Sequence, residues 1–243
     1  MLNKAEFFEL YRKIFELNGL SGYINDEIVE KMYAMTEHML EVNEHMNLTA
    51  IVEPADVICK HLADSVMVSE YIPQGSTVCD VGCGGGFPSL PLAIARPDLT
   101  ILGIDSTEKR INYVNESAKM LDLSNLKAIS GRAEDLSRGE LRESFDVCTA
   151  RAVANLPVLS EFCLPFVKVG GAFVAMKGKY NGEEITKASV TLGAEAIAEN
   201  NTHKYLLKSF SSEEERCIFE LKKLRPTDAK YPRNYSQIKK KPL

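Results

Sequence analysis

The residues best suited to chemistry form a glycine-rich loop that begins with an acid, Asp80 to Gly86. The loop follows a short β-rich segment and precedes a helical pattern, which is where a doubly wound sheet binds its ligand. Glycines there let the backbone approach a ligand closely and adopt positive φ angles. The dinucleotide fingerprint G-x-G-x-x-G fails because its third glycine would fall at Phe87. The Gly-Lys-Ser/Thr of a phosphate-binding loop is also absent.

Acidic residues follow three successive predicted strands, and together they suit a positively charged cofactor. Asp80 lies near the end of the first strand, Asp105 ends the second, and Glu134 follows the third. A pyrophosphate would be repelled by Asp80, whereas a sulfonium compound with an ammonium group would be attracted. Asp105 is placed to bind two ribose hydroxyls, and Glu134 to meet an adenine edge. The pattern predicts an S-adenosylmethionine-dependent methyltransferase; a structural glycine turn or another nucleotide site is the alternative.

Arg151 is the clearest candidate for a role at the methyl acceptor. The [D/N]-P-P-[Y/F] motif that many amino-methylating enzymes carry after strand four is absent. Cytosine-C5 enzymes need a cysteine nucleophile, and Cys148 is expected to point into the sheet. Arg151 places planar donors and a fixed charge at the sheet edge, which suits a phosphate, a guanine edge or the cofactor carboxylate. A surface ion pair is the alternative for Arg151, and no general base is expected.

The other reactive residue types have structural interpretations. No two of the six cysteines have the spacing of a zinc knuckle or a redox motif, so reduced thiols and no metal are expected. His61, Asp64 and Ser65 lie so close together on one predicted helix that they cannot form a hydrolytic relay. A structural role under the N-terminal helices is expected for them.

Alternating strands and helices from Thr77 onward must position the loop. Five strands with intervening helices imply a parallel sheet with right-handed crossovers, and two late strands predict an antiparallel hairpin at its edge. The fold class is therefore α/β, a doubly wound, mostly parallel seven-stranded sheet. The predicted strands are Thr77–Val81, Leu99–Ile104, Leu126–Ile129, Phe145–Ala150, Ala172–Met176, His203–Phe210 and Arg216–Leu224. The predicted helices between them are Pro88–Ala95, Thr107–Leu121 with Ser106 as N-cap, and Leu156–Val167.

Residues 1–70 contain only helical patterns. Apolar residues recur at helical spacing from Phe7 to Leu17 and from Ile28 to Val42, and Pro54 suits the first turn of a third helix. We therefore predict an N-terminal helical cap at 1–70, followed by a cofactor-binding domain with a basic tail at 71–243.

The charge of the chain is unevenly distributed. The net charge is −5, yet the stretch from Lys222 to Leu243 holds eight Lys or Arg and only one acid. Such a segment suits phosphate contacts, although a solubilising tail has the same composition. The absence of a long apolar stretch or a signal peptide predicts a cytoplasmic protein without membrane contact. The absence of coiled-coil heptads favours a monomer.

The ordered motifs closely resemble those of the bacterial small-subunit ribosomal RNA methyltransferase G family, also called glucose-inhibited division protein B. The similarity runs from about Asn43 to the last residue. Beyond the glycine loop, the matching segments are Asn47-Leu48-Thr49-Ala50-Ile51, His61-Leu62-Ala63-Asp64-Ser65, Pro91-Leu92-Ala93-Ile94, Asp105-Ser106-x-x-Lys109-Arg110, Gly131-Arg132-Ala133-Glu134-Asp135, Ala150-Arg151-Ala152, Ala175-x-Lys177-Gly178 and Lys240-Lys241-Pro242-Leu243.

This resemblance implies methylation of guanine N7 in 16S ribosomal RNA, or in the small ribosomal subunit, with S-adenosylmethionine as cofactor. Guanine N7 has a lone pair and no proton, so the chemistry needs positioning rather than a general base. A small-molecule or protein substrate, or a non-catalytic role in assembly or cell division, remains an alternative. The residues expected to contact the cofactor are Asp80, Gly82, Gly84, Phe87, Asp105, Ala133, Glu134 and Arg151. Those expected to contact RNA are Lys177, Arg233, Lys239, Lys240 and Lys241.

Two departures from the family pattern concern the glycine loop and the tail. Ser89 replaces the family glycine that follows Phe-Pro. In the tail, Asn234, Ser236 and Ile238 replace a lysine, a glycine and a proline, while the terminal lysines are kept. The conformation of the tail is therefore expected to differ from that of the family.

Overall fold

The structure, a computed structural model, describes residues 3–151, 154–179 and 187–243. Its described part contains a seven-stranded sheet in the order β3-β2-β1-β4-β5-β7-β6. Strands β1 to β5 are parallel, β7 is antiparallel to β5, and β6 pairs with β7 at the edge. The predicted fold class and edge hairpin are thus confirmed. The strands are β1 Thr77–Val81, β2 Thr100–Asp105, β3 Leu126–Ser130, β4 Phe145–Arg151, β5 Val167–Lys177, β6 Thr202–Lys208 and β7 Glu213–Lys222.

Helices cover both faces of the sheet. Polar residues begin several of them, such as Asn3, whose side chain forms a capping box with Glu6. The helix α3 (54–67) starts at Pro54 and contains a π-helical stretch, Val57–Ala63. The other helices are α1 Lys4–Leu17, α2 Asp26–Met46, α4 Ser89–Ala95, α5 Glu108–Met120, α6 Ala133–Leu136, α7 Leu156–Cys163, α8 Ala188–Thr191 and α9 Tyr235–Lys240.

The N-terminal helices share a hydrophobic core with one face of the sheet. Buried Phe15 and Met32 belong to the same cluster as Val78 in β1 and Val114 in α5. A second cluster fills the opposite face beneath α7 and receives Ile238 from the tail. All six cysteines are buried and have free thiols, as predicted. The division of the chain at residue 70 stays a proposal.

The boundary between the predicted helix Leu156–Val167 and the fifth strand was predicted wrongly. Helix α7 ends at Cys163 and a 3₁₀ turn follows, because Pro165 lacks the N–H that a continuing helix needs. Strand β5 starts at Val167 rather than at the predicted Ala172, and it includes Gly170 and Gly171. The pairing of β4 with β5 shifts register there, and Gly170 has a φ of 89°, so a bulge absorbs the two glycines.

A smaller difference concerns the start of one helix, and a separate observation concerns membrane-spanning helices. The N-cap of α5 is Thr107 rather than Ser106, one residue later than predicted. In the three described ranges, no helix combines the length and the apolar character needed to cross a membrane.

Candidate active site

The glycine loop turns sharply from β1 into α4. The Gly82 N–H donates to the Ile104 carbonyl at 2.7 Å, which ties the loop to β2. Gly84 has a φ of 53°, and its N–H donates to Asp105 Oδ2 at 3.1 Å. Gly86 has a φ of 84°, and a side chain there would collide with Leu90. These positions require glycine, and the loop leaves its backbone open to a ligand.

A groove of about 220 Å³ lies beside this loop, at the carboxyl ends of β1, β2 and β3. We call it the β1–β3 groove. Four predicted cofactor residues line it: Gly82, Asp105, Ala133 and Glu134. Asp105 is held by the N–H groups of Gly84 and Thr107, at 3.1 and 2.8 Å. The sequence therefore predicted which strand ends meet at this groove, as expected for a doubly wound sheet.

Asp80 lies directly beneath the loop and is fully buried. Its Oδ2 accepts a hydrogen bond from the Ser89 hydroxyl, and its Oδ1 has no hydrogen-bond partner in the described part of the chain. Burial raises the pKa of Asp80 to about 6, although Ser89 and the Arg151 charge lower it. A buried carboxylate with an unpaired oxygen is stabilised by a nearby cation. The residue therefore fits a positively charged ligand group.

Arg151 ends β4 and is mostly enclosed by α3. Its Nη1 donates to the Lys60 carbonyl at 2.8 Å and to Asp64 Oδ2 at 3.3 Å. Its guanidinium carbon lies 5.2 Å from the centre of the Phe87 ring, within cation–π range. Arg151 does form an ion pair, but with Asp64 of α3 in a largely buried position beside the glycine loop, and not with an acid at the surface as the alternative predicted.

A second groove, of about 550 Å³, continues along the same sheet edge from β4 to β7. We call it the β4–β7 groove. Cations outnumber acids among its charged residues, which are Lys60, Asp64, Arg151, Lys177, Glu214 and Arg216. Lys177, a predicted RNA contact, also donates to the Ala154 carbonyl at 3.1 Å. The groove therefore offers a positively charged surface next to the residues that surround Asp80.

The C-terminal tail packs against the β1–β3 groove. Helix α9 places Tyr235 and Lys239 in the groove lining, and the Tyr235 ring stacks on Phe162, with ring centroids 6.3 Å apart. The Arg233 guanidinium binds Glu161, which is fully buried, through bonds of 2.6 to 3.2 Å. Arg233 was predicted to contact RNA, whereas here its donors face a carboxylate inside the protein. The lysines at 239, 240 and 241 are exposed.

Two residues lie at the site that were not among its predicted residues. His61 was given a structural role, yet its ring stacks on Phe87 with centroids 4.4 Å apart. Tyr235 lies where the tail departs from the family pattern, and the Asn234–Gln237 spacing of a capping box was the signal that a helix could begin there. His61 could have been found from its position in a matched motif.

The sheet order and the grooves at its carboxyl edge define a Rossmann-like fold, which solved methyltransferases share. The structure is similar to the O-methyltransferase from Bacillus cereus in complex with SAH, with a TM-score of 0.54 and 16% identity; the match covers 78% of this chain and 91% of that one. It is also similar to M. jannaschii TYW2 in complex with AdoMet, with a TM-score of 0.51 and 16% identity over 66% of this chain and 77% of that one. At such identities the likeness shows the fold.

The sequence comparisons identify the family. The family model for rRNA small subunit methyltransferase G matches residues 28–214. The chain is 42% identical to the ribosomal RNA small subunit methyltransferase G of Exiguobacterium sp. over 246 residues, covering all of both chains. It is 44% identical to the Staphylococcus aureus protein of that name, over 84% of this chain and 86% of that one. The chain belongs to the rRNA small subunit methyltransferase G family.

Proposed function

We propose that this protein transfers a methyl group from S-adenosylmethionine to N7 of a guanine in 16S ribosomal RNA. The observation that carries the proposal is the meeting of two grooves on one sheet edge, one with carboxylates at the strand ends and one rich in cations. Asp105 and Glu134 line the β1–β3 groove beside Arg110, Arg132 and Lys239. The β4–β7 groove is rich in cations, and its Arg151 packs on Phe87 of the glycine loop. The carboxylates, with the unpaired oxygen of Asp80, suit a cationic cofactor, and the cations of the β4–β7 groove suit a polyanionic substrate.

The residues of the β1–β3 groove fit S-adenosylmethionine. Asp105 would bind the two ribose hydroxyls and Glu134 the adenine edge, with Ala133 beside it. The unpaired Oδ1 of Asp80 suits the ammonium group, since opposite charges attract strongly where water is excluded. The open backbone of Gly82 and Gly84 would allow close approach. Phe87 and Arg151 would border the methyl group and the carboxylate. When bound, the cofactor supplies a methyl group on a positively charged sulfur.

The residues on the acceptor side suit a nucleophile that needs no deprotonation. Guanine N7 has an in-plane lone pair and no proton, so the protein must hold it in line with the methyl group. His61, the nearest histidine, is kept neutral because burial and the Arg151 charge lower its pKa to about 3. We assign Arg151 to positioning at the junction of the grooves, and no general base.

The substrate side extends from the β4–β7 groove to the tail. Lys177 lines that groove, and the exposed Lys239, Lys240 and Lys241 follow the anchored part of the tail; we assign all four to RNA phosphates. We assign Arg233 to anchoring, since its donors bind Glu161. We also propose that the protein acts as a monomer in the cytoplasm, where its ribosomal substrate is found, because one chain supplies both grooves.

The test is methyl transfer from tritiated S-adenosylmethionine to small-subunit RNA from cells that lack the protein, followed by borohydride and aniline treatment, which cuts at N7-methylguanine. Label in the RNA with one discrete cut is the expected result. Label without a cut would overturn the N7 assignment. Without label in RNA or in subunits, a small-molecule or protein substrate, or a non-catalytic role in assembly or cell division, would replace the proposal.

A further inference from the structure

The π-helical stretch of α3 directs His61 toward the glycine loop. π-Helical turns are rare in proteins, and those that occur often lie at functional sites. His61 is only 7% exposed, and its ring lies almost parallel to that of Phe87, with 14° between the planes. The imidazole therefore forms a packed contact between the N-terminal helices and the loop that would border the cofactor.

One ring nitrogen of His61 is held by Thr49. Its Nε2 lies 2.8 Å from Thr49 Oγ1, and that hydroxyl oxygen also accepts the Ile51 N–H at 3.0 Å. The backbone of Thr49 is fixed in turn by the Asn43 amide, which donates to its carbonyl at 3.0 Å and accepts its N–H at 2.9 Å. A segment between α2 and α3 thus holds one edge of the imidazole in place.

The other ring nitrogen faces Arg151. His61 Nδ1 lies 3.3 Å from Arg151 Nη2, and a guanidinium nitrogen can only donate. Nδ1 must therefore accept, which places the ring proton on Nε2, where Thr49 can accept it. Burial and the Arg151 charge keep the ring neutral and outweigh the nearby Lys60 carbonyl, which acts in the opposite direction.

His61 completes the set of contacts that orient the Arg151 guanidinium group. Lys60 and Asp64 bind Nη1, so without His61 the Nη2 side would lose its acceptor on α3. A planar guanidinium held at both nitrogens is fixed in rotation as well as in position. Asp64 provides the negative charge that pairs with Arg151, whereas His61 fixes the orientation of the guanidinium and stacks on the Phe87 ring.

We propose that His61 is a positioning residue for methyl transfer, which holds Arg151 and Phe87 in place as a neutral acceptor. This inference rests on the proposed function, because it assumes that Arg151 serves the transfer. It deepens that function by assigning the Asn43–Thr49 segment of the N-terminal helices to the support of the transfer site. His61 itself would neither accept nor release a proton during the reaction.

Two substitutions of His61 separate its two edges. The His61→Asn oxygen can take the place of Nδ1 and still accept from Arg151, whereas His61→Gln can reach Thr49 but offers nothing at the Nδ1 position. We expect the Asn variant to keep kcat/KM within about threefold of wild type and the Gln variant to lose about tenfold, the effect of one buried charge-assisted hydrogen bond. His45→Asn, at an exposed histidine of α2, is the control.

The readouts are RNA methylation by the full chain, the Kd of S-adenosylmethionine by calorimetry, and the midpoint of urea unfolding. We also expect His61→Gln to have less than about a twofold effect in an Arg151→Lys background, because coupled residues are not additive. Equal losses for the Asn and Gln variants, or losses that follow the unfolding midpoint, would overturn the inference. If wild type fails to methylate RNA, the proposed function fails instead, and His61 loses its assigned role with it.

Discussion

The hydrogen bond from Ser89 to Asp80 gives a quantitative prediction for cofactor binding. Asp80 is fully buried, and its pKa is raised by burial to about 6. If only the carboxylate binds the cofactor ammonium, about 90% of the protein is competent at pH 7 and about 10% at pH 5. The Kd of S-adenosylmethionine should therefore rise about tenfold over this range. Asp80→Asn, which cannot titrate, should bind weakly and show none of this dependence.

Removing the Ser89 hydroxyl should shift this titration upward. A hydrogen bond to a charged group contributes about 1.5 kcal/mol or more. Its loss should raise the pKa of Asp80 by about one unit, because one pKa unit corresponds to about 1.4 kcal/mol, and this leaves about tenfold less carboxylate at acidic pH. Compared with wild type at the same pH, Ser89→Ala should therefore bind about twofold more weakly at pH 7 and nearly tenfold more weakly at pH 5. Isothermal titration calorimetry at pH 5, 6 and 7 measures this, with Ser124→Ala, an exposed serine, as control. A flat wild-type Kd, or a slope retained in Asp80→Asn, would refute the reasoning.

Four further predictions concern stability, catalysis and RNA binding. The pKa of Asp80 rises from 3.8 when exposed to about 6 in the fold. Between these two pH values the folded state holds a proton that the unfolded state has released, so the free energy of unfolding falls as the pH rises from about 4 to above 6. Asp80→Asn should be more stable than wild type by up to about 3 kcal/mol at pH 7.5 and by little at pH 4, measured by urea unfolding. Arg151→Ala should reduce methyl transfer by at least about a hundredfold with the fold retained by circular dichroism; an active variant would contradict its assignment. Replacing Lys239, Lys240 and Lys241 with Gln should reduce the slope of log K against log salt for RNA binding by about two. Arg233→Met should leave that slope unchanged. It should instead lower the free energy of unfolding by about 3–5 kcal/mol, because Glu161 stays buried without its partner. Tyr235→Ala should weaken S-adenosylmethionine binding about threefold to tenfold by calorimetry, and Tyr235→Phe, which keeps the ring, should not.

The β1–β3 groove could be predicted from the sequence because its residues follow strand ends. In a parallel sheet all carboxyl ends lie on one edge, so Asp105 and Glu134 must meet beside the glycine loop once their strands are placed. The glycine loop adds a local requirement, since Gly86 has no room for a side chain. Both signals are short in sequence, and neither depends on how distant segments pack.

The contacts across the N-terminal helices could not be predicted in the same way. The approach of His61 to Phe87 and Arg151 depends on the π-helical stretch in α3 and on the packing of α3 against the sheet edge. The periodicity of apolar residues gives the buried face of a helix but not a local change in its winding. The pairing of Arg233 with Glu161 joins residues 72 positions apart and likewise arises only when the tail folds back.

The tail shows why departures from a family pattern can be structural adaptations. Asn234 is the N-cap of α9, and it forms a capping box with Gln237. Ile238 donates its N–H to the Asn234 carbonyl at 3.1 Å and is fully buried in the second core cluster. The family pattern has proline at position 238 and glycine at 236, which would remove that hydrogen bond and weaken the first turn. In this chain, therefore, the three replacements together create a short helix that brings Tyr235 to the β1–β3 groove, and its last turn presents lysines, which the helix dipole favours at that end.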